Sequence, residues 1–291
     1  ICTILTFMTC KIMISSVYAE QSHIPLLKNG QLDLRSWDFD SDGTIPLTGE
    51  WTFYWGEFVN PDDFKSGQPL PESVLIDLPR LWNDLDFHGE KLPAQGYATM
   101  HIKILLPPTK SLLGLKLMDF NTAARVFVDG KQLAQIGVPG KLEVETIPFL
   151  KPQVVELEPK NSEMDIVIHV SNFHDRIGGI RQPVVLGTAS QVSDLRDQRL
   201  VFEFLLFGSI IIMALYHLGL YLLRRKGTSA LYFSLFCFLI ALRTVLTGER
   251  YLLYMFPDLD WQFAVKVEIL SFYLAVPVFA MFIQTLFAWV F

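Results

Sequence analysis

The stretch "GTASQVSDLRDQRLVFEFLLFGSIIIMALYHLGLYLLRRK", residues 187–226, divides the chain into two kinds of protein. Up to residue 199 it is polar, with Ser and Thr available as helix N-caps. From Leu200 to Leu223 it is a run of apolar residues, longer than the roughly 20 that a bilayer-crossing helix needs. Arg224, Arg225 and Lys226 close it. The polar part, 188–199, is read as a linker helix feeding straight into a first membrane span. A rigid link there would carry force or rotation into the bilayer; a plain spacer is the alternative reading.

Downstream, residues 229–247 form a second candidate span. Residues 264–290 form a third, with Pro277 as the expected kink. The basic loop between the first two spans belongs on the cytoplasmic side by the positive-inside rule, which places everything before residue 200 outside. The spans carry polar residues that would each cost about 2.5–3.5 kcal/mol or more at mid-bilayer if charged and unpaired. Glu203, Lys266 and Glu268 sit near the expected outer ends. His217 and Arg243 are the candidate intramembrane polar residues. They either form a network that couples helices, or they snorkel and make ordinary interhelical hydrogen bonds.

Upstream the composition is different. Residues 20–199 hold 17 Lys and Arg against 25 Asp and Glu. Over the whole chain, 51% of the residues are hydrophobic and the mean hydropathy is +0.34. An acidic soluble part with no basic stripe disfavours nucleic acid as a partner. No Cys lies between 20 and 199, so neither disulfides nor thiolate metal sites are expected there. The first residues, 1–19, end in small side chains, and Val17 and Ala19 fit a signal-peptidase site with cleavage after Ala19. The alternative is an N-terminal anchor interrupted by Lys11; the absence of an initiator Met suggests a truncated start.

Residues 20–187 read as strands. "GEWTFYWG" (49–56) places Trp51, Phe53 and Trp55 on one face, with Thr52 and Tyr54 on the other. "GYATMHIKILLP" (96–107) and "MDIVIHVSNF" (164–173) alternate apolar residues with Thr99, His101, Lys103, His169 and Ser171. "ARVFVDGKQLAQIG" (124–137) predicts a hairpin, because Asp129-Gly130 suits a type I′ turn. Short strands with one wet face and Pro/Gly turns predict an all-β antiparallel sandwich of jelly-roll type, followed by transmembrane α-helices.

"DFDSDG" (38–43) begins like an EF-hand calcium loop, with Asp38, Asp40 and Asp42 as candidate ligands. The twelfth position is Gly49 where a bidentate Glu is needed, and Pro46 takes the ninth. An acidic turn with local Asx hydrogen bonds is the preferred reading, and no metal site is favoured. For a small ligand, "LWNDLDFHG" (81–89) offers Trp82, Asn83 and His88, and "SNFHDRIGG" (171–179) offers Asn172, His174, Asp175 and Arg176. Aromatic faces with polar forks suit a sugar or a small anion. The competing reading makes Trp82 core and uses Asn172 to satisfy a turn. G-x-S-x-G, H-E-x-x-H and a Gly-rich phosphate loop are absent from the sequence, so no catalytic residue and no cofactor is expected.

"LTGEWTFYWGEFVNPDDF" (47–64), "LPRLWND" (78–84), "VFVDGKQLAQIGVPGK" (126–141), "VSNFHDRIGGIRQPVVLG" (170–187) and "LYHLGLYLLRRKGTSALYFSLFCFLIALR" (215–243) together resemble one family. It is the bacterial seven-transmembrane receptors with diverse intracellular signalling modules. The resemblance implies a galactose-binding-like jelly roll outside the bacterial cytoplasmic (inner) membrane. It also implies a small-molecule ligand, plausibly a carbohydrate, and a cytoplasmic output module such as a kinase, cyclase or phosphatase. The chain shows three spans where the family has seven and then a module, as expected of a fragment or a truncated product. Homodimerisation is left open. A transporter or envelope-assembly protein with a docking sandwich is the alternative function. A secreted glycosidase is disfavoured, since no catalytic carboxylate pair can be nominated.

Overall fold

A computed structural model describes residues 24–108, 111–224, 227–256 and 258–287. The expected signal peptide, and the Arg225 and Lys226 of the basic loop, lie outside these residues. The β-rich half contains strands β1 (Gln31–Asp33), β2 (Ile45–Pro46), β3 (Gly49–Trp55), β4 (Val74–Leu78), β5 (Gly96–Leu105), β6 (Leu113–Leu117), β7 (Ala123–Val128), β8 (Lys131–Ile136), β9 (Gln153–Leu157), β10 (Glu163–Asn172) and β11 (Val185–Thr188). The larger sheet runs β8-β7-β10-β5-β3-β4, with β1 parallel along one end of β5. The smaller runs β9-β6-β11-β2 and is antiparallel throughout. The two face each other as a sandwich.

Strand alternation explains the core. Met100 and Ile102 of β5 lie opposite Ile168 and Ile166 of β10. These residues form one buried cluster with Trp51 and Phe53 of β3 and with Leu113, Leu115, Leu117 and Leu186 of the smaller sheet. Each such aliphatic side chain contributes about 1.5–3 kcal/mol when fully buried. The β7–β8 hairpin turns at Asp129 and Gly130, both at positive φ (52° and 86°), as a type I′ turn requires.

The middle of the larger sheet's outer face is covered, while its edge strands stay exposed, as at Lys131, Gln135 and Asp77. The segment after β3 folds back over that middle part. Phe58 stacks on His169 and Phe64 on His101, with ring centroids 4.8 and 3.9 Å apart. Thr99 Oγ1 donates to the Glu57 carbonyl at 2.7 Å and accepts from the Val59 amide at 3.0 Å. His101 Nε2 lies 2.9 Å from Asp165 Oδ1. His169 Nε2 donates to the Val59 carbonyl at 2.8 Å. Burial holds the His169 pKa down at about 4, against that bond, so the ring is neutral. Residues 57–66 have no strand periodicity, and so the alternation in β5 and β10 gave no sign of this cover.

At "DFDSDG", residues Phe39–Asp42 make one helical turn on a buried Phe39. Asp38 accepts from the Asp40 amide (3.1 Å) and the Ser41 hydroxyl (3.0 Å), and Asp42 accepts from the Asp38 amide (2.9 Å). The carboxylates of Asp38 and Asp42 are thus turned onto their own loop. Among the described residues no three His, Cys, Asp or Glu are grouped to hold a metal ion.

Three helices are long and apolar enough to cross a membrane: α1 (Ala189–Arg224), α2 (Ser229–Leu246) and α3 (Trp261–Leu286). The polar stretch read as a linker is the first part of α1, which runs unbroken for 36 residues. At 1.5 Å per residue that is about 54 Å. Strand β11 passes directly into it. Gln191 ties the helix start to the sandwich by donating to the Phe39 carbonyl and accepting from the Thr188 amide. Val192 is fully buried there, close to Gly114 of β6. Pro277 lies inside α3, which is continuous to Leu286.

Candidate functional site

The sandwich meets the helices at the loop between α2 and α3. Inward-facing Leu113, Leu115 and Leu117 turn the intervening Lys116 to the outer face of the smaller sheet. There α1 and residues 247–250 bury it, and its ammonium pairs with Glu249; the side chains are 1% and 3% exposed. Burial pulls the Lys116 pKa below its ordinary value, and Glu249 pulls it back. The Glu249 amide donates to both carboxylate oxygens of Glu203 on α1, at 3.1 and 3.3 Å. Arg199 of α1 stands 4.0 Å from Glu249.

Arg250, the next residue, adopts positive φ (53°) and points elsewhere. Its Nε donates to Asp119, just after β6, and its Nη1 donates to Glu268 of α3 (2.8 Å) and to the Leu246 carbonyl of α2 (2.9 Å). One guanidinium therefore joins the sandwich, α2 and α3. Burial pushes the Asp119 carboxyl above the usual range, and Arg250 opposes it. Removing one member of a buried pair of this kind costs about 3–5 kcal/mol, because the other charge stays desolvated.

Beside Arg250 is a cavity of about 720 Å³ between the sandwich and the near ends of α2 and α3. The sandwich supplies Asp119, Asn121, His174, Asp175, Arg176 and Arg181; the helices and their loop supply Arg243, Arg250, Trp261, Glu268, Phe272 and Tyr273. Several of these are engaged already. Asn121 Nδ2 donates to Asp175 (2.9 Å) and the Ile177 carbonyl (3.0 Å), and Arg181 stands 3.6 Å from Asp175. Arg243 donates to the Glu268 carbonyl (3.1 Å) and lies over the Phe272 ring. Others are not. Asp119 Oδ1, His174 Nδ1 and Trp261 Nε1 are buried without a hydrogen-bond partner among the described residues. The Arg176 guanidinium is exposed and meets no carboxylate there.

Of the residues singled out from sequence, His174, Asp175, Arg176, Arg243 and Glu268 come together on this cavity. Three others shape the loop that presents them. Asn172 accepts from the Asp175 amide (3.0 Å) and donates to the Ala94 and Asp175 carbonyls (both 2.9 Å). Asn83 accepts from the Gly178 amide at 2.8 Å. Trp82 is 1% exposed, packs edge-on to Trp55, and leaves room beside its ring only for a glycine at 178. It is a core residue that backs the loop, not an open binding face. His88 lies apart on the surface, 3.4 Å from Glu72. His217 is on the distal part of α1, its Nδ1 2.9 Å from the Met213 carbonyl and its ring against Phe233. Sequence reasoning did not select Lys116, Asp119, Glu249, Arg250 or Trp261. A lysine between the leucines of "LGLKL" (113–117) was the visible signal for the first.

Residues 199–289 match the family model for 7TM diverse intracellular signalling. No curated protein matches the chain. Solved structures that are similar in part include three β-glucuronidases. That from Faecalibacterium prausnitzii is 17% identical, covering 49% of this chain and 31% of its own, with a TM-score of 0.37. That from an uncultured Clostridium is 18% identical, covering 49% and 28%, at 0.38. That from Ruminococcus gnavus is 15% identical, covering 49% and 27%, at 0.36. The chain spans less than a third of each of these. The family match covers residues 199–289, the part of the chain that carries most of the three membrane-length helices.

Proposed function

We propose that the chain is the sensing and first relaying part of a membrane receptor. The sandwich lies outside the bacterial cytoplasmic membrane, binds a small molecule of carbohydrate type, and passes the event through the helices to a cytoplasmic output module. The observation that carries this reading is the keyed junction. Lys116 and Asp119 of the sandwich are ion-paired with consecutive residues, Glu249 and Arg250, of the α2–α3 loop. A sandwich anchored only by a flexible tether would have no means of biasing helix packing. Here a change in the sandwich near β6 acts on α1, α2 and α3 together.

The test uses the whole chain in lipid nanodiscs against a panel of sugars and small carboxylates. A compound at 100 times its Kd should add about 2.7 kcal/mol of stability. The relay reading further requires that it change amide exchange in residues 247–256, since a ligand shifts only states for which its affinities differ. A compound that stabilises the sandwich and leaves that segment's exchange unchanged refutes the relay. Orientation is checked separately, by the accessibility of a cysteine placed at Ser66 to a membrane-impermeant reagent in intact cells; no labelling there would refute an external sandwich.

A further inference from the structure

We infer that the cavity between the sandwich and the helices is the ligand site, and that it takes a small hydroxylated organic acid held through its carboxylate by Arg176 and Arg243. This rests on the receptor reading above and gives it a site and a ligand class.

The argument starts from charge. Arg250 is shared by Asp119 and Glu268, and Arg181 is set against Asp175. That leaves Arg176 and Arg243, one from each side of the cavity, with no carboxylate partner among the described residues. The wall thus carries four arginines against three carboxylates, a net charge of +1 that favours an anion, and the planar forks of Arg176 and Arg243 suit a carboxylate.

The remaining wall argues for hydroxyls and a compact carbon frame. Buried polar atoms without partners are rare in folded proteins, and this wall holds three. Trp261 Nε1 can only donate, Asp119 Oδ1 accepts, and His174 Nδ1 serves as either according to its tautomer. A ligand with hydroxyl groups can both donate and accept, so it satisfies a mixed set of this kind where a bare anion cannot. Trp261, Phe272 and Tyr273 add aromatic surface on the helix side. The volume, about 720 Å³, falls within the range of small-molecule sites. Such a ligand touches the sandwich and the helices at once, so its binding depends on how the two are docked.

The test is calorimetric titration of the whole chain in nanodiscs of zwitterionic lipid, with glucuronate, glucose and inorganic phosphate as probes. Glucuronate should bind at least about tenfold more tightly than glucose or phosphate, since the first lacks nothing the site offers and the others each lack one half of it. Arg176→Ala should weaken glucuronate by about tenfold or more, and Arg176→Lys should recover part of the loss. Arg176 is exposed with no side-chain partner, so neither variant threatens folding. Three results would overturn the proposal: no glucuronate binding up to about 10 mM, equal binding of glucose and glucuronate, or unchanged glucuronate affinity in Arg176→Ala. If glucuronate binds as expected and residues 247–256 keep their exchange rates, the site stands and the relay reading falls. If glucuronate does not bind, the site falls and the relay is still tested by perturbing Lys116.

Discussion

Replacing Lys116 by Met tests the junction directly. Met is unbranched and matches the Lys stem as far as Cε, so packing on β6 is largely preserved while the ammonium is lost. The Glu249 carboxylate, 3% exposed, then has Arg199 at 4.0 Å as its nearest cation, and Glu203 is held on its own amide. A broken buried pair costs about 3–5 kcal/mol, and the residual help from Arg199 puts this one near 3 kcal/mol. If that energy holds the α2–α3 loop on the sandwich, opening becomes about 150 times more frequent. Amide exchange in residues 247–256 should accelerate by that order, because exchange in a docked loop reports its local opening equilibrium. The double variant Lys116→Met with Glu249→Leu removes both charges and should recover most of the protection, since apolar replacement of a whole buried pair is often neutral or better. Salt up to about 1 M should change little in the wild type, as a buried pair is weakly screened. Acceleration below about tenfold, or a double variant as fast as the single one, would refute the view that this pair keys the two halves together.

Gly248 has φ +67°, and a Cβ there would run into the Glu203 carboxylate. Gly248→Ala should therefore cost more than the about 1–2 kcal/mol of the left-handed backbone alone and accelerate the same amides; unchanged exchange would contradict the described loop. His169 gives a pH dependence. Its folded pKa is about 4 and its ordinary value 6.5, so the unfolded chain takes up the proton first as pH falls. Stability is whole above pH about 6.5 and drops by about 3 kcal/mol on the way to pH about 4, and His169→Gln should flatten that slope in calorimetric melts. Trp82→Ala should lower sandwich stability by about 3–5 kcal/mol, as for a large core side chain; an unchanged melting temperature with lost ligand binding would instead make Trp82 a contact residue.

The strands and spans were legible because each follows a local period. β5, β7, β8 and β10 lie where alternation placed them, and the I′ turn at Asp129-Gly130 was readable from two residues. What stayed hidden depends on distant pairing. The cover over His101 and His169 comes from Phe58 and Phe64, in a segment without periodicity. The polar stretch before Leu200 read as a helix leading straight into the first span, and the backbone hydrogen bonds of α1 run through the change in hydropathy there. At the candidate site, the loop 171–179 was recognisable by its Asn, His, Arg and Gly content. Its other wall was not. Lys116 and Glu249 are 133 residues apart, Asp119 and Arg250 are 131 apart, and nothing within one window of sequence links them.

The geometry also constrains how a signal could travel. An unbroken α1 joined to β11 without a spacer residue offers no hinge at that joint, so a rigid tilt of the sandwich must tilt α1 with it. The α2–α3 loop, in contrast, touches the sandwich only through side chains and can be held or released. A released arrangement would then differ from the described one in lifting Glu249 and Arg250 off Lys116 and Asp119, and Leu253 off Leu150. A ligand bridging Arg176 and Arg243 would favour the held state, because release separates its two anchors. To move such an equilibrium from 1:99 to 99:1 the ligand needs about 5.5 kcal/mol of differential affinity. One charge-assisted hydrogen bond supplies only about 1.5–3 kcal/mol. Contacts on both sides of the cavity are therefore needed for a full switch, and a ligand held by the sandwich alone would bind without signalling.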